Sequence, residues 1–141
     1  MIVRKATSND YRKLSYHIRN KHIDYITVSH IAADIESNSL FVLEDNNTFV
    51  AMVSVVWQEE FQCCGIKRLV IFNKKNHGKG YASLLLNEVI EKGKKYSVTP
   101  WIDNTTMHHL LTKLGFHYVK TFNKIWTLWE KNAWQNSKSV L

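Results

Sequence analysis

The sequence predicts an α/β fold, a mixed β-sheet with helices on its faces. Three observations carry that expectation. The hydrophobic period changes from helical to alternating and back along the chain. The run "SLFVLEDNNTFVAMVSVVW", rich in β-branched residues around a "DNN" turn, reads as a hairpin. The turn "HGKGYA" opens a leucine-striped helix. The chain has 141 residues. Such a length suits one domain that buries about two thirds of its unfolded surface and folds without disulfides or metals.

The elements follow in order. "MIVRKA" is a short strand. "SNDYRKLSYHIRNKH" is a helix with Ser8, Asn9 or Asp10 as its cap and Leu14 and Ile18 at helical spacing. A second short helix covers Ser29 to Ser37, and the hairpin comes next. Glu59 and Glu60 turn the chain into another strand, "FQCCGIKRLVIF". A central helix takes Gly78 to about Lys92, with Ala82, Leu85, Leu86, Val89 and Ile90 as its buried stripe and Gly93 as its stop. "YSVTPWI" is a strand with a proline inside. "DNTTMHHLLTKLGF" is a helix capped by Asp103, Asn104 or Thr105 and stopped by Gly115, with Met107, Leu110, Leu111 and Leu114 as its stripe. "HYVKTF" and "KIWTLWEK" close the chain as an antiparallel pair. The order is β-α-α-β-β-β-α-β-α-β-β, in which only the strands around the central helix need be parallel. Residues 1–131 are expected to form a single domain, with 132–141 as a polar tail.

The formal net charge of +7 favours an anionic partner: nucleic acid, a membrane surface or a phosphorylated small molecule. The densest lysine cluster, Lys74, Lys75, Lys79, Lys92, Lys94 and Lys95, brackets the glycine turn. No aromatic RNA-binding motif or helix-turn-helix pattern stands out, so nucleic acid is not the expected partner. Charges at Arg4 and Lys5 come too early for a signal peptide, and no apolar run reaches membrane-spanning length. A cytoplasmic location without a membrane partner is expected. The adjacent Cys63 and Cys64 match neither a zinc knuckle nor a redox pair and are expected as buried, reduced thiols. The seven histidines show no ligand spacing, and no metal is expected.

Helix N-termini carry unpaired N–H groups and a positive dipole end, and glycines let a phosphate approach the backbone. "HGKGYA" has those properties. It is neither a Walker A loop nor a dinucleotide fingerprint: Gly-Lys-Ser/Thr is absent, and Ser83 stands where a third glycine belongs.

The segment "LVIFNKKNHGKGYASLLL" resembles the acetyl-CoA-binding segment of GNAT-superfamily acetyltransferases. That family carries Gln/Arg-x-x-Gly-x-Gly/Ala after its fourth strand, and His77, Gly80 and Ala82 take those positions. A second segment, "NTTMHHLLTKLGF", resembles the family's Asn-x-x-Ala-x-x-Leu-Tyr-x-Lys-x-Gly-Phe, matching at Asn104, Leu110, Lys113, Gly115 and Phe116. The resemblance implies a GNAT fold, a central mixed sheet flanked by about four helices. In that fold the fourth and fifth strands splay apart around the pantetheine arm. The implied reaction is acetyl transfer from acetyl-CoA to a primary amine, by direct attack in a ternary complex.

The resemblance also implies the cofactor site. Backbone amides around Val70, Ile71 and Phe72 would meet the thioester oxygen and the pantetheine. The pyrophosphate would rest on the turn of His77, Gly78, Lys79, Gly80, Tyr81 and Ala82. Asn104 would reach the cofactor or a nearby water, and Lys113 belongs to the same set. Three departures stand out. His77 replaces Arg or Gln, Met107 replaces a small residue, and Leu111 replaces the tyrosine often proposed as general acid.

Glu59 and Glu60 are candidate bases; as solvated turn carboxylates they would have no role. His108 lies about 40° around its helix from Asn104 and is a candidate for proton transfer. Trp57, Trp101, Trp126 and Trp129 read as sheet packing, with Trp57 or Trp101 as candidates to line an acceptor pocket. Two other functions compete: a CoA-binding module without catalysis, supported by Leu111, and a basic nucleic-acid-binding domain, supported only by charge. The acceptor, a small molecule or a protein amine, is not identified by the sequence, and a homodimer is left open.

Overall fold

The computed structural model describes residues 1–20, 23 and 25–132. The end of the first predicted helix, at Lys21 and His22, and the tail from residue 133 lie outside the described residues. The chain divides into two compact units: Met1–Val56 with Lys67–Val89, and Trp57–Ile66 with the chain from Ile90 onward.

In the first unit the strands are ordered β1 (Ile2–Lys5), β2 (Leu40–Asp45), β3 (Thr48–Gln58) and β4 (Cys63–Ile71). The last two strands also run on into the second unit. The predicted hairpin forms as read: Asp45 pairs with Thr48, and Asn46 and Asn47 both take left-handed φ, 49° and 64°. A two-residue turn with both residues in that region matches the right-handed twist of the flanking strands, and asparagine tolerates it better than most residues.

The predicted cap of α1 (Tyr11–Asn20) is corrected by the structure. A 3-10 turn, Ser8–Asp10, precedes the helix, and Thr7 holds the cap position. Asp10 instead accepts hydrogen bonds from Arg4 (2.8 Å) and from the Thr7 N–H (2.7 Å). The hydrogen-bonded Arg4 guanidinium holds the Asp10 carboxyl below its usual range. The second helix, α2 (Val28–Glu36), is capped by Thr27, whose hydroxyl accepts from the His30 N–H.

Leu14, Ile18 and Ile31 from these helices share a core with Leu40, Val42, Phe49 and Phe72 of the sheet and its end. One buried charge pair enters this unit. Arg68 of β4 grips Asp34 of α2 with two bonds, Nε to Oδ2 at 2.7 Å and Nη2 to Oδ1 at 2.9 Å. The Ser54 hydroxyl donates to the same carboxylate. Arg68 has φ 53°, a left-handed residue in the middle of a strand.

The central helix α3 is shorter than predicted, Tyr81–Val89 rather than Gly78 to about Lys92. Gly78 and Gly80 have φ of 75° and 80° and so belong to the turn before it. Leu85, Leu86 and Val89 are buried as expected, while Ala82 and Ile90 are only half-buried. The helix packs on β2.

In the second unit the order is β4, β5 (Lys95–Val98), β7 (Trp126–Asn132), β6 (His117–Phe122). β4 and β5 are parallel, as the sequence predicts, and their pairing takes in only Cys64↔Tyr96 and Gly65↔Ser97. β5 and β6 each pair antiparallel with β7. β7 reaches Asn132, one residue into the span read as tail.

Pro100 lies past the end of β5, not within it. Its carbonyl accepts from both the N–H and the hydroxyl of Thr127, at 2.9 Å each. A strand ending before a proline avoids the ladder bond that proline cannot donate. Alternation divides the faces of β7. Lys131 donates to the Leu114 carbonyl at the end of α4 (Thr105–Lys113), and Trp129 packs on His108 of that helix. Leu128 and Glu130 face the other way.

Candidate functional site

Two places among the described residues could hold ligands. The first follows β4 in the first unit. Asn73 turns with φ 68°, a 3-10 turn covers Lys74–Asn76, and the two left-handed glycines lead into α3. Each glycine is demanded by its φ; a Cβ on either would meet nothing within 4 Å, so the space above them is open. The Gly80 carbonyl accepts the first helical bond, from the Leu84 N–H at 3.0 Å. The amides of Tyr81, Ala82 and Ser83 then belong to the helix start, where no intrahelical carbonyl can reach them. Lys74, Lys75 and Lys79 are exposed beside it. Open space, free donors and lysines suit a phosphate group.

His77 stands differently from the arginine or glutamine it replaces. Its Nε2 lies 3.2 Å from the Ile71 carbonyl. Only a protonated Nε2 can donate there, so the ring fastens the turn to the end of β4. Asn76 adds a second clasp, donating to the Phe72 carbonyl at 2.9 Å. The three predicted amides do not act alike. The Phe72 N–H donates to Val50 at 2.8 Å and is not free for a ligand. Successive amides of a strand point to opposite edges, so the Ile71 N–H faces away from β3.

The second place is a cavity of about 480 Å³ in the second unit. Phe61, Phe122 and Leu128 give it apolar walls, and Gln58, Ser97 and Glu130 give it polar ones. Gly65 lets the Gln58 side chain lie on the strand: a Cβ there would come within 2.8 Å of Gln58 Oε1. That oxygen accepts from the Ser97 hydroxyl (3.1 Å) and the Cys63 thiol (3.6 Å). Glu130 pairs with Lys95 at 3.4 Å.

The cavity takes in Gln58 and Phe61 but not the two glutamates between them. Glu59 and Glu60 are exposed on a 3-10 turn, and the Glu59 carboxylate accepts from the Trp57 indole. Glu130, the carboxylate on the cavity wall, was missed by sequence reasoning. Its signal was faint: it sits two residues after Leu128, on the alternate positions of a closing strand.

The tryptophans divide. Trp126 and Trp129 are half-buried, but Trp57 and Trp101 are 53% and 56% exposed, which corrects the expectation of packing for these two. Trp101 stacks against Trp126 with centroids 4.7 Å apart.

Asn104 is the cap of α4, its Oδ1 accepting from the Met107 N–H at 3.2 Å, a role worth about 1 kcal/mol. His108 is half-buried. Its Nε2 lies 3.1 Å from the Trp101 carbonyl, so Nε2 carries the proton and Nδ1 holds the free lone pair of a neutral ring. Lys113 ends α4, exposed. Leu111 is fully buried, so the position of the family's tyrosine is core here.

Comparison with known proteins follows the same lines. The chain resembles a GNAT-family acetyltransferase structure from Streptococcus agalactiae at 19% identity, over 93% of this chain and 94% of that one, with a TM-score of 0.78. Diaminobutyrate acetyltransferase from Paenibacillus lautus, in complex with its substrate and coenzyme A, matches at 11% identity over 98% of each chain, TM-score 0.75. YncA from Salmonella typhimurium, with its cofactor acetyl-CoA, matches at 16% identity over 100% of this chain and 97% of that one, TM-score 0.74. At such identities the likeness is one of fold. No curated protein matches the sequence. The model of the Acetyltransferase (GNAT) family matches residues 5–116, a span that runs through both units. A mixed seven-stranded topology, a glycine turn ahead of α3 and a family match over most of the chain agree: the chain belongs to the GNAT family of acetyltransferases, enzymes that draw on acetyl-CoA.

Proposed function

We propose that the chain transfers the acetyl group of acetyl-CoA to a primary amine by direct attack within a ternary complex. The observation that carries this is the glycine turn before α3, where open space lies over unpaired amides. Pyrophosphate oxygens would accept from the amides of Gly80 to Ala82, and the exposed lysines would add charge. His77 would hold the turn in place rather than contact phosphate. The Ile71 amide is the donor best placed for the oxygen that gains charge at the thioester, with Val70 and Phe72 as its framework.

The amine nitrogen would attack the thioester carbon, the C–S bond would break, and the thiolate would leave. An alkylammonium with a pKa near 10.4 must first lose a proton to a base or an ordered water. A thiol with a pKa near 8.5 departs tolerably unaided, so the absent tyrosine does not forbid turnover. His108 could move a proton only through Nδ1 unless it lets go of Trp101. Glu59 and Glu60 would act only through solvent. The acceptor remains an amine on a small molecule or a protein, and a cytoplasmic location goes with this reading.

Calorimetry with CoA and a thiol-release assay test the proposal. Wild-type protein is expected to bind CoA and to release thiol faster with some amines than with buffer. Gly80→Val, which forces a β-branched residue into a left-handed φ, should weaken CoA binding at least tenfold in a protein that still melts cooperatively. Unchanged CoA affinity in that variant would remove the cofactor site from this turn. Binding without amine-dependent thiol release would favour a CoA-binding module.

A further inference from the structure

We infer that the cavity in the second unit takes a zwitterion with an apolar body, an α-amino acid of the leucine or phenylalanine kind. This rests on the acetyltransferase reading for the ligand's place as acceptor; its binding is a separate matter. The cavity volume, about 480 Å³, lies within the range of small-ligand sites, roughly 300–1,000 Å³. Its walls carry one carboxylate, Glu130, and one ammonium, Lys120. The two stand on neighbouring strands: Lys120 is opposite Leu128, and Glu130 lies two residues further along β7 on the same face. A register shift between Tyr118 and Lys120 interrupts the ladder here, yet both side chains line the cavity, where a ligand's ammonium and carboxylate can each hydrogen-bond to one of them.

The charge count argues against other amines. Glu130 already shares its charge with Lys95 at 3.4 Å, and Lys120 adds a second positive group at the rim. A diamine would place two more cations against one compensated carboxylate. A zwitterion adds no net charge and satisfies both ends. Phe61, Phe122 and Leu128 supply the surface for an apolar side chain. Gln58 lines the same cavity. Its oxygen is occupied by Ser97 and Cys63, which leaves its NH2 end as a donor towards a carboxylate.

The test is a calorimetric titration of the full chain, alone and saturated with CoA, with L-phenylalanine, phenethylamine and 1,4-diaminobutane. L-phenylalanine should bind saturably, phenethylamine about tenfold more weakly, and diaminobutane should not compete. Glu130→Gln should weaken both aromatic ligands at least tenfold. Lys120→Met should weaken L-phenylalanine about tenfold and leave phenethylamine no weaker, since it removes a like charge from the cavity rim. Equal binding of the two aromatic ligands, competition by the diamine, or indifference of L-phenylalanine to Lys120→Met would overturn the inference. If Glu130→Gln fails to fold, Lys120→Met decides alone, because that side chain is exposed. Turnover does not enter these readouts. An enzyme that acetylates other amines but does not bind L-phenylalanine would keep the function and lose this inference. Binding of L-phenylalanine without any thiol release would do the reverse.

Discussion

Replacing Asp34 with alanine is expected to cost about 3 kcal/mol of folding stability, the lower end of the range for breaking a buried pair. The carboxylate is 9% exposed, and it accepts from the Arg68 guanidinium twice and from Ser54. Its removal leaves a guanidinium with only 20% of its surface in water and a buried hydroxyl without an acceptor. It also frees Arg68 from the contact that opposes its backbone strain. A non-glycine residue at φ 53° inside a strand holds of order 1–3 kcal/mol that its surroundings must offset. Urea unfolding of Asp34→Ala beside an Arg68→Met, Asp34→Ala double variant measures the pair. The double variant should recover part of the loss, since no charge is then stranded. A loss below about 1 kcal/mol would class the pair with exposed ones such as Lys94–Glu91, whose side chains are 52% and 63% exposed.

Leu111→Ala is expected to cost about 2–5 kcal/mol, because the side chain is fully buried and its loss leaves a cavity. Leu111→Tyr bears on function. A tyrosine at this position would meet core atoms, so overpacking should cost about 1–3 kcal/mol and the turnover number should not rise. Stopped-flow thiol release on the folded fraction checks this. A tenfold rise in turnover would mean that the hydroxyl can find the thiolate after all, and that the leucine is a lost acid rather than a core residue.

Local chemistry made much of the fold legible. The two asparagines of the hairpin turn, the Asn104 cap and the changes of hydrophobic period each act over a few residues, whereas the threonine caps Thr7 and Thr27 were missed. Boundaries failed where a residue's backbone state cannot be read from its name. Gly78 and Gly80 could have begun the helix, but their left-handed φ puts them in the turn. Pro100 could have stood on a strand edge, but the strand stops short of it.

The candidate site was legible only where it follows the chain. The turn from His77 to Ala82 is one stretch and was readable. The cavity is assembled from Gln58, Ser97, Lys120 and Glu130, which only strand pairing brings onto one face. Glu59 and Glu60 drew notice because they adjoin each other in sequence, whereas Glu130 has a lysine and a tryptophan for neighbours. The Asp34–Arg68 pair spans 34 positions and leaves no local mark.

The adjacent cysteines have a consequence for following the protein in solution. Side chains of successive strand residues point to opposite faces. Cys63 lines the cavity and Cys64 does not, yet both are buried, at 2% and 7% exposure, and burial pushes the Cys64 thiol up, away from the reactive thiolate. One dipeptide therefore carries two native reporters that need no engineered label. Alkylation of either buried thiol reads how often its side of β4 opens, and a ligand in the cavity should slow it at Cys63.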